Sequence, residues 1–309
     1  MALAFLYAGQ GSQKEKMGED FYNAYPQVRD IFDNKSAGFD ISDTCFNASI
    51  ETLTQTRYTQ ACMAAFGAAV TRLLYEEGIK PDYTAGLSLG EYSALHAAGV
   101  FDVDTMLSLL AYRGKIMQES TAGLDTKMAA VIGLTEEQVI SACAKATGEG
   151  LGLAAPANFN SVGQIVIGGG AAAVDKAMEL CNEAGAKRCL PLNVSAPFHT
   201  LYMEEASALM GKALAKATFN EMQIPVIHNA TADVLKGSQT VAELLEVQVK
   251  MPVLFQKTIE KLAELGVKTV IEIGPGNVIS GFIKKTAPSI ETYVIDDIDS
   301  FKKVIAEVK

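Results

Sequence analysis

At about 150 residues per domain, the 309-residue sequence is long enough for roughly two domains or for one domain with a large insertion. Its 26 lysines and arginines against 36 aspartates and glutamates give a formal net charge of −10, which argues against a nucleic-acid partner that would need a basic face. Hydrophobic residues make up 49% and charged residues 20%, a balance that excludes intrinsic disorder. We therefore expect a compact globular protein that does not bind nucleic acid.

The cysteines and the apolar stretches bear on the compartment. None of the five cysteines belongs to a C-x-x-C pair, and an odd number suits buried free thiols in a reducing compartment. The longest apolar stretch, residues 61–70, is too short to cross a bilayer, which takes about 20 residues. The N-terminal residues lack the basic segment of a signal peptide. We therefore predict a cytoplasmic protein without membrane contact.

Strand-like and helix-like segments alternate in the first part of the chain. The apolar patterns predict strands at residues 3–8 and 83–87, and helices at residues 60–77, 90–98 and 103–119. Such alternation is typical of a mostly parallel α/β sheet.

The middle of the chain has a different order of elements. The patterns predict a strand at 128–133, a helix at 135–146, strands at 151–157 and 164–167, a helix at 171–184 and a strand at 188–192. This β-α-β-β-α-β order is typical of a ferredoxin-like unit. Strands resume at 226–229 and 269–273. We predict an α/β fold in which a large subdomain, residues 1–126 and 194–309, is interrupted by a small ferredoxin-like subdomain, residues 127–193.

The clearest local motif is a G-x-S-x-G pentapeptide between a predicted strand and a predicted helix. It places Ser88 between Gly86 and Gly90, as in a nucleophile elbow, where a sharp turn needs small flanking residues and leaves the serine exposed. The alternative is a serine that caps the helix N-terminus. The strand before the motif and the helix after it favour the nucleophile.

A serine nucleophile needs a base, and the chain has three histidines. His96 lies eight residues further along the same predicted helix, about 12 Å away, too far to take the proton of Ser88. His228 lies in an apolar strand, which favours a structural role. His199 follows Pro197 in a loop after the last strand of the inserted unit, where its imidazole can point into a cleft. His199 is the preferred base, with a backbone carbonyl as one possible orienting group, since no aspartate has a distinguishing context.

Two further features surround this pair. The loop that begins Gly9-Gln10-Gly11 lacks the third glycine of a dinucleotide motif, because Lys14 stands there, and its N–H groups suit an oxyanion better, beside the N–H of Leu89. Arg113 stands in an otherwise apolar helix; if it reaches Ser88, its planar fork favours an acyl group with a second carboxylate. No nucleotide-phosphate motif or metal site is expected.

Taken together, several ordered motifs resemble a known family over nearly the whole chain. They are residues 5–13, 59–60, 86–95, 113–114, 158–161, 196–199, Gln248 with 252–253, and 272–276. The chain resembles the malonyl-CoA:acyl-carrier-protein transacylases of bacterial fatty acid synthesis and the acyltransferase domains of polyketide synthases. The resemblance implies an α/β-hydrolase-like large subdomain with an inserted ferredoxin-like small one. It also implies ping-pong transfer of a malonyl group from CoA to the phosphopantetheine thiol of acyl carrier protein, through Ser88 and without a cofactor.

The resemblance also assigns roles to single residues. The amides of Gln10 and Leu89 match the oxyanion hole, and Arg113 matches the arginine that binds the malonyl carboxylate. Gln248 matches a position whose carbonyl orients the histidine. Phe198 matches a residue that fills the space of a 2-methyl group, and Asn158 belongs to a motif of the substrate site. One departure is Leu87, where many members have histidine.

Three other interpretations of these motifs remain open. A polyketide-type acyltransferase and an acyl-CoA thioesterase would use the same serine and histidine, and a non-catalytic binding module would only retain the fold.

Carrier proteins of this pathway are typically acidic, so a carrier protein approaching this acidic chain needs a local basic patch. The candidates are Lys284, Lys285, Lys187 and Arg188. We expect the protein to act as a monomer.

Overall fold

The computed structural model describes residues 2–194 and 196–308. The strands are β1 (Ala2–Tyr7), β2 (Tyr83–Gly86), β3 (Thr126–Ile132), β4 (Ala154–Ser161), β5 (Gln164–Gly170), β6 (Arg188–Leu192), β7 (Val226–Ile227), β8 (Val267–Ile273) and β9 (Glu291–Ile295). The helices are α1 (Glu19–Ala24), α2 (Arg29–Phe32), α3 (Ile41–Phe46), α4 (Ile50–Leu53), α5 (Thr56–Glu76), α6 (Gly90–Ala97), α7 (Val103–Glu119), α8 (Glu136–Gly148), α9 (Ala171–Glu183), α10 (Glu204–Leu214), α11 (Val241–Gln248), α12 (Phe255–Glu264), α13 (Val278–Thr286) and α14 (Ile298–Val308). None of these helices has the length and apolar character needed to span a bilayer.

The larger sheet is parallel and has the strand order β7-β2-β1-β8-β9. Its central strand β1 is buried on both faces: Phe5 and Tyr7 join one core cluster, and Ala4 and Leu6 join the other. Helices therefore cover both faces, which explains why this strand is apolar at successive positions. Strands β1 and β2 precede the inserted unit and β7 to β9 follow it, so the prediction of a sheet that is discontinuous in sequence is confirmed.

The smaller sheet is antiparallel and has the order β4-β5-β3-β6. Helices α8 and α9 pack on one of its faces and form a separate core cluster with residues such as Val131 and Ile165. Met128, Ala130 and Val166 lie on the other face, where they line a cleft against the larger sheet. The predicted β-α-β-β-α-β order is confirmed, and it gives the two-subdomain α/β fold its cleft.

Local signals explain where the site-bearing helices start. Helix α7 begins after Asp102, whose carboxylate accepts a hydrogen bond from the N–H of Thr105 at 2.7 Å. This N-cap starts the helix about three turns before Arg113, which α7 presents on its buried face. Helix α5 packs against α7 and is buried on most sides, which explains the long apolar run at its centre.

Two of the differences between the predicted and the observed strands bear on the position of the site. The strand predicted at 151–157 lies three to four residues later, as β4, because Gly152 has a φ of +106° and turns the chain before the strand begins. The strand predicted at 226–229 ends at Ile227; His228 then forms an isolated antiparallel bridge with Asp233, and Asn229 lies in the turn between them. That turn brings His228 and Asn229 to the carboxyl edge of the larger sheet, where open α/β sheets bind their ligands.

Candidate active site

Ser88 lies in a strained turn between β2 and α6. Its φ is +56°, in the left-handed region that non-glycine residues rarely adopt. The turn is so tight that a Cβ atom on Gly86 would lie 2.0 Å from the carbonyl carbon of Gly90, and one on Gly90 would lie 2.3 Å from the carbonyl oxygen of Tyr7. Glycine is therefore required on both sides of the serine, as in a nucleophile elbow.

The serine hydroxyl differs from the sequence-based expectation in one respect. Ser88 is half-buried rather than exposed, because His199 and Arg113 both contact its Oγ. Its side chain does not cap α6 either: Leu89 occupies the N-cap position, and no side-chain hydrogen bond caps the helix there. The geometry thus favours the nucleophile over the capping serine.

His199 joins Ser88 to a backbone carbonyl. Its Nε2 lies 2.7 Å from Ser88 Oγ, and its Nδ1 lies 2.7 Å from the carbonyl oxygen of Gln248. A carbonyl can only accept, so Nδ1 carries the hydrogen and Nε2 presents its lone pair to the serine hydroxyl. Pro197 and a φ of +58° at His199 turn the ring into the cleft. A carbonyl, not a carboxylate, therefore orients the imidazole.

The surroundings of His199 keep its imidazole neutral. Burial and, secondly, the positive charge of Arg113 lower the pKa of His199 to about 3, and the hydrogen bond to Gln248 opposes this only in part. Both main causes disfavour the charged imidazolium. At neutral pH the ring is therefore a free base that is already in contact with the hydroxyl.

The other two histidines lie in different surroundings. His96 Nδ1 is 2.8 Å from the carbonyl oxygen of Phe101, and burial lowers the pKa of His96. His228 Nδ1 is 2.7 Å from a carboxylate oxygen of Glu91. Of the three histidines, the structure brings only His199 to Ser88.

Arg113 reaches the serine from α7. Its guanidinium donates to the side-chain oxygen of Gln60 at 2.7 Å, to that of Gln248 at 2.9 Å and to Ser88 Oγ at 3.1 Å. The side chain is buried. Among the described residues, no carboxylate forms an ion pair with it within 4.0 Å. A buried guanidinium whose acceptors are neutral can take a carboxylate from a ligand in a bidentate contact.

Two backbone N–H groups lie beside the elbow. Gln10 and Leu89 both line the cleft, and within residues 2–194 and 196–308 their amides have no hydrogen-bond acceptor. Leu89 stands at the N-terminus of α6, whose helix dipole favours negative charge. A Cβ on Gly9 would lie 2.7 Å from the carbonyl oxygen of Leu87, so the Gln10 loop and the elbow are in close contact. This arrangement suits an oxyanion.

The cleft itself has a volume of about 260 Å³ and lies between the two sheets. Phe198 and Asn158, both named from the sequence, line it, and so does Leu87. Its wall on the α13 side is apolar, with Val278 and Phe282. The site is thus a small, partly apolar pocket with the serine, the histidine and the arginine grouped at one place.

The predicted basic residues lie outside the cleft. Lys284 and Lys285 are exposed at the end of α13, and the ammonium of Lys285 donates to the side-chain oxygen of Gln164 at 3.0 Å. Gln164 lines the cleft, so the lysine pair lies beside its entrance. Lys187 and Arg188 are also exposed, at the start of β6.

Sequence reasoning missed the residues that hold the elbow from outside. Asn229 Oδ1 accepts from the N–H of Ser88 at 2.7 Å, and Asn229 Nδ2 donates to the carbonyl oxygen of Gly86 at 2.7 Å. The sequence places Gln60 in a motif but gives no sign that its side chain accepts a hydrogen bond from Arg113. These contacts join residues that are far apart in the sequence; Ser88 and Asn229 are separated by 141 positions. No local sequence pattern therefore predicts them.

Comparison with known proteins identifies the family. The acyl transferase domain model matches residues 4–303. The malonyl CoA-acyl carrier protein transacylase of Bacillus subtilis is 38% identical over 309 residues, which cover 99% of this chain and 97% of the relative. The crystal structure of the malonyl-CoA:acyl carrier protein transacylase of Xanthomonas oryzae pv. oryzae superposes with a TM-score of 0.94 at 38% identity, covering 99% of each chain.

A further solved structure is a malonyl-transacylase in complex with a type II polyketide synthase acyl-carrier protein. It matches with a TM-score of 0.95 at 34% identity and covers 99% of this chain and 100% of that one. The match of the family model and the identities to full-length relatives lead to the same conclusion as the motifs. The chain belongs to the acyl transferase family.

Proposed function

We propose that this chain transfers a malonyl group from malonyl-CoA to the phosphopantetheine thiol of an acyl carrier protein, supplying fatty acid elongation. The observation that carries the proposal is the position of Ser88 Oγ, which lies 2.7 Å from the imidazole of His199 and 3.1 Å from the guanidinium of Arg113. A nucleophile and a carboxylate-binding cation thus lie within reach of one short acyl group. The names of the relatives support the same substrate pair.

The first half-reaction acylates the serine. His199 Nε2 takes the proton of Ser88 as Oγ attacks the thioester carbonyl carbon, and the N–H groups of Gln10 and Leu89 stabilise the oxyanion. When the tetrahedral intermediate collapses, the carbon–sulfur bond breaks and the imidazolium returns the proton to the departing CoA thiolate. The products are malonyl-Ser88 and CoA.

The second half-reaction reverses the roles. The carrier's pantetheine thiol gives its proton to His199, its sulfur attacks the ester carbonyl of malonyl-Ser88, and the same two N–H groups hold the oxyanion. The carbon–oxygen bond then breaks, and the proton returns from the imidazolium to Ser88 Oγ. The reaction as written needs no cofactor, since both steps only exchange an acyl group and a proton.

Selection of the acyl group falls to the residues around the serine. Arg113 binds the distal carboxylate of malonyl in this proposal, with Gln60 and Gln248 holding its fork. Phe198 lines the cleft one residue before the base and occupies the space that a 2-methyl group would need. Asn158 lines the same cleft as a polar contact for substrate.

The proposal extends to partner and location. The complex of a relative with its carrier protein supports a carrier protein as the second substrate. The exposed basic residues are the proposed docking contacts for it: Lys284, Lys285, Lys187 and Arg188. We propose that the chain acts as a monomer, since Ser88, His199 and Arg113 already contact one another without a partner subunit. We place the reaction in the cytoplasm, which suits the free cysteines.

We also assign the two halves of the cleft to the two subdomains, 1–126 with 194–309 and 127–193. The strand boundaries support this division to within one residue, since β3 begins at Thr126 and β6 ends at Leu192. The large subdomain then carries Ser88, His199 and Arg113. The small one supplies Asn158 and the apolar wall opposite.

Intact-mass measurement tests the proposal. Mixing the protein with malonyl-CoA is expected to add one malonyl group to the wild type and none to Ser88→Ala, and holo carrier protein is expected to remove the group. Absence of the adduct on folded wild-type protein contradicts the proposal. Release of CoA at the same rate with and without carrier protein indicates a thioesterase instead.

A further inference from the structure

Glu91 is a buried carboxylate that the mechanism does not use. It lies one residue inside α6, with none of its surface exposed. Its Oε1 is 2.7 Å from Nδ1 of His228, and its Oε2 accepts from the N–H of Asn229 at 3.1 Å and from Nε2 of Gln248 at 2.7 Å. A carboxylate held by three donors is strongly fixed, so it can serve as an anchor for whatever binds it.

Both peptide groups of the nucleophile are attached to this anchor. The N–H of Ser88 donates to the side chain of Asn229, and the carbonyl oxygen of Ser88 accepts from the side chain of Gln248 at 3.0 Å. Asn229 and Gln248 are in turn the two residues that meet at Oε2 of Glu91. Glu91 therefore holds the serine on both sides through one intermediary each.

The serine needs such support because its backbone is strained. A residue other than glycine at a φ of +56° has an unfavourable backbone conformation that persists only where neighbouring groups fix it. The bond from Ser88 to Asn229 has a second effect, because it occupies the N–H of Ser88. The oxyanion donors that remain at the elbow are those beyond it, starting with Leu89.

We propose that Glu91 is a positioning residue that holds Ser88 in its reactive conformation through Asn229 and Gln248, with His228 fixing the carboxylate from behind. The inference rests on the proposed function, in which Ser88 is the acyl carrier. It assigns Glu91 no contact with substrate. It makes the rate of acylation, rather than the binding of malonyl-CoA, depend on Glu91.

The test compares Glu91→Met with Glu91→Gln. Methionine has a similar length and no oxygen acceptor, so Asn229 and Gln248 lose their anchor. Glutamine keeps one oxygen toward these two residues and turns its NH₂ group toward His228. Nδ1 of His228 can accept a hydrogen bond from that group if the ring hydrogen moves to Nε2. No hydrogen bond is lost by this change, because Nε2 has no partner within the described residues. We expect acylation to slow about 100-fold in Glu91→Met and less than about fivefold in Glu91→Gln, as expected for loss of hydrogen bonds to a charged group.

The rate constant is measured per folded molecule, by rapid quench and intact mass at saturating and sub-saturating malonyl-CoA. We expect the maximal rate to fall in Glu91→Met while the half-saturating concentration stays within about twofold, because Arg113 still binds the carboxylate. A role in stability alone lowers the melting temperature and leaves the rate per folded molecule unchanged. That outcome, or equal slowing in both variants, overturns the proposal.

A matched control is Glu272→Met. Glu272 is an equally buried carboxylate that accepts from the N–H groups of Ile279 and Ser280 at the start of α13, without contact to Ser88. It is expected to destabilise the fold without slowing acylation per folded molecule. If Glu91→Met does not fold, Asn229→Ala is used instead, because it removes the side chain that accepts from the N–H of Ser88. An acylation rate of Asn229→Ala within about twofold of wild type then overturns the proposal.

One further assay separates this inference from the proposed function. Acetylation of Ser88 by p-nitrophenyl acetate needs only the serine, the base and the oxyanion donors, not Arg113 or a carrier protein. Slowing of that reaction in Glu91→Met supports the positioning role even where malonyl-CoA proves to be the wrong donor. Unchanged acetylation overturns it even where malonyl transfer is established.

Discussion

The guanidinium of Arg113 donates to the same oxygen that donates to His199, so Ser88 Oγ lies between a cation and a base. A hydroxyl oxygen that accepts from a cation has less electron density for attack on a carbonyl. A ligand carboxylate that draws the guanidinium away would release the oxygen as it binds. In the proposed reaction the arginine therefore acts on both the selection of the acyl group and the reactivity of the serine.

Arg113→Ala is expected to separate malonyl from acetyl substrates. Acylation by malonyl-CoA should fall about 100-fold or more, since truncating one partner of a buried charge pair costs about 2–5 kcal/mol. Acylation by acetyl-CoA should stay equal or rise, because acetyl has no second carboxylate and Ser88 Oγ loses the opposing donor. Rapid-quench acylation with each donor measures both effects, and equal losses for the two donors would assign Arg113 a structural role only.

The same arginine is expected to set the acid limit of the reaction. Burial and, secondly, the charge of Arg113 lower the pKa of His199 to about 3, so in the wild type the imidazole remains a free base through pH 5. Removing the charge in Arg113→Ala raises that pKa, though burial still keeps it below the ordinary value of about 6.5. The acid limb of acetylation by p-nitrophenyl acetate should therefore move to higher pH.

Arg113→Lys is the control for this pH effect, because it keeps the positive charge near the ring. Its acid limb should stay near that of the wild type, whatever happens to its malonyl specificity. Coincident pH profiles for the alanine and wild-type proteins would mean that burial alone lowers the basicity of His199.

The elbow glycines give a prediction about stability. Gly86→Ala places a Cβ atom 2.0 Å from the backbone of Gly90 and should destabilise the protein by at least about 3 kcal/mol, since the backbone cannot yield as a side chain can. Gly281→Ala is the matched control: Gly281 lies within α13, and apart from its chain neighbours and the adjacent helix backbone no atom lies within 4 Å of the added Cβ. That change should stabilise by about 0.5–1 kcal/mol. Urea denaturation measures both, and a neutral Gly86→Ala would refute the packing argument.

The contrast between these positions shows what the sequence could predict. Gly86, Ser88 and Gly90 are neighbours in the chain, and their spacing encodes a local turn that any one segment can reveal. The loop of His199 was found for the same reason, through a proline and its place after a predicted strand. Such signals depend on a few adjacent residues, so they can be recognised in the sequence without knowledge of the fold.

The contacts that complete the site have no such local signal. Asn229 follows a strand of only two residues, β7, and reaches Ser88 because the parallel sheet places β7 beside β2. Asn158 lies in the last half of β4, which the sequence does not predict as strand because cleft-facing asparagines interrupt the apolar pattern there. Strand β9 was not predicted, since only Ile295 among its residues is fully buried. Residues that face a cleft or solvent have no need of the apolar alternation on which strand prediction relies.

The last prediction concerns the approach of the carrier protein. The net charge of −10 opposes an acidic partner, so productive encounters depend on local positive charge near the cleft. Lys284 and Lys285 fit this need, since Lys285 contacts Gln164 at the cleft wall. The double variant Lys284→Glu/Lys285→Glu should slow discharge of malonyl-Ser88 to holo carrier protein about tenfold at low salt. Acylation by malonyl-CoA should change little, and the difference should shrink as salt screens the charges.

A control of equal charge comes from α14. Lys302 and Lys303 are exposed there, and Phe301 of the same helix packs in the core cluster on the face of the large sheet opposite to α13. Lys302→Glu/Lys303→Glu changes the net charge by the same amount on the far side of the sheet. If discharge slows equally in both double variants, net charge rather than a docking surface governs the encounter. If only the α13 variant slows it, the basic end of α13 is the place where the carrier protein docks, and its helix carries both the cleft wall and the first contact with the partner.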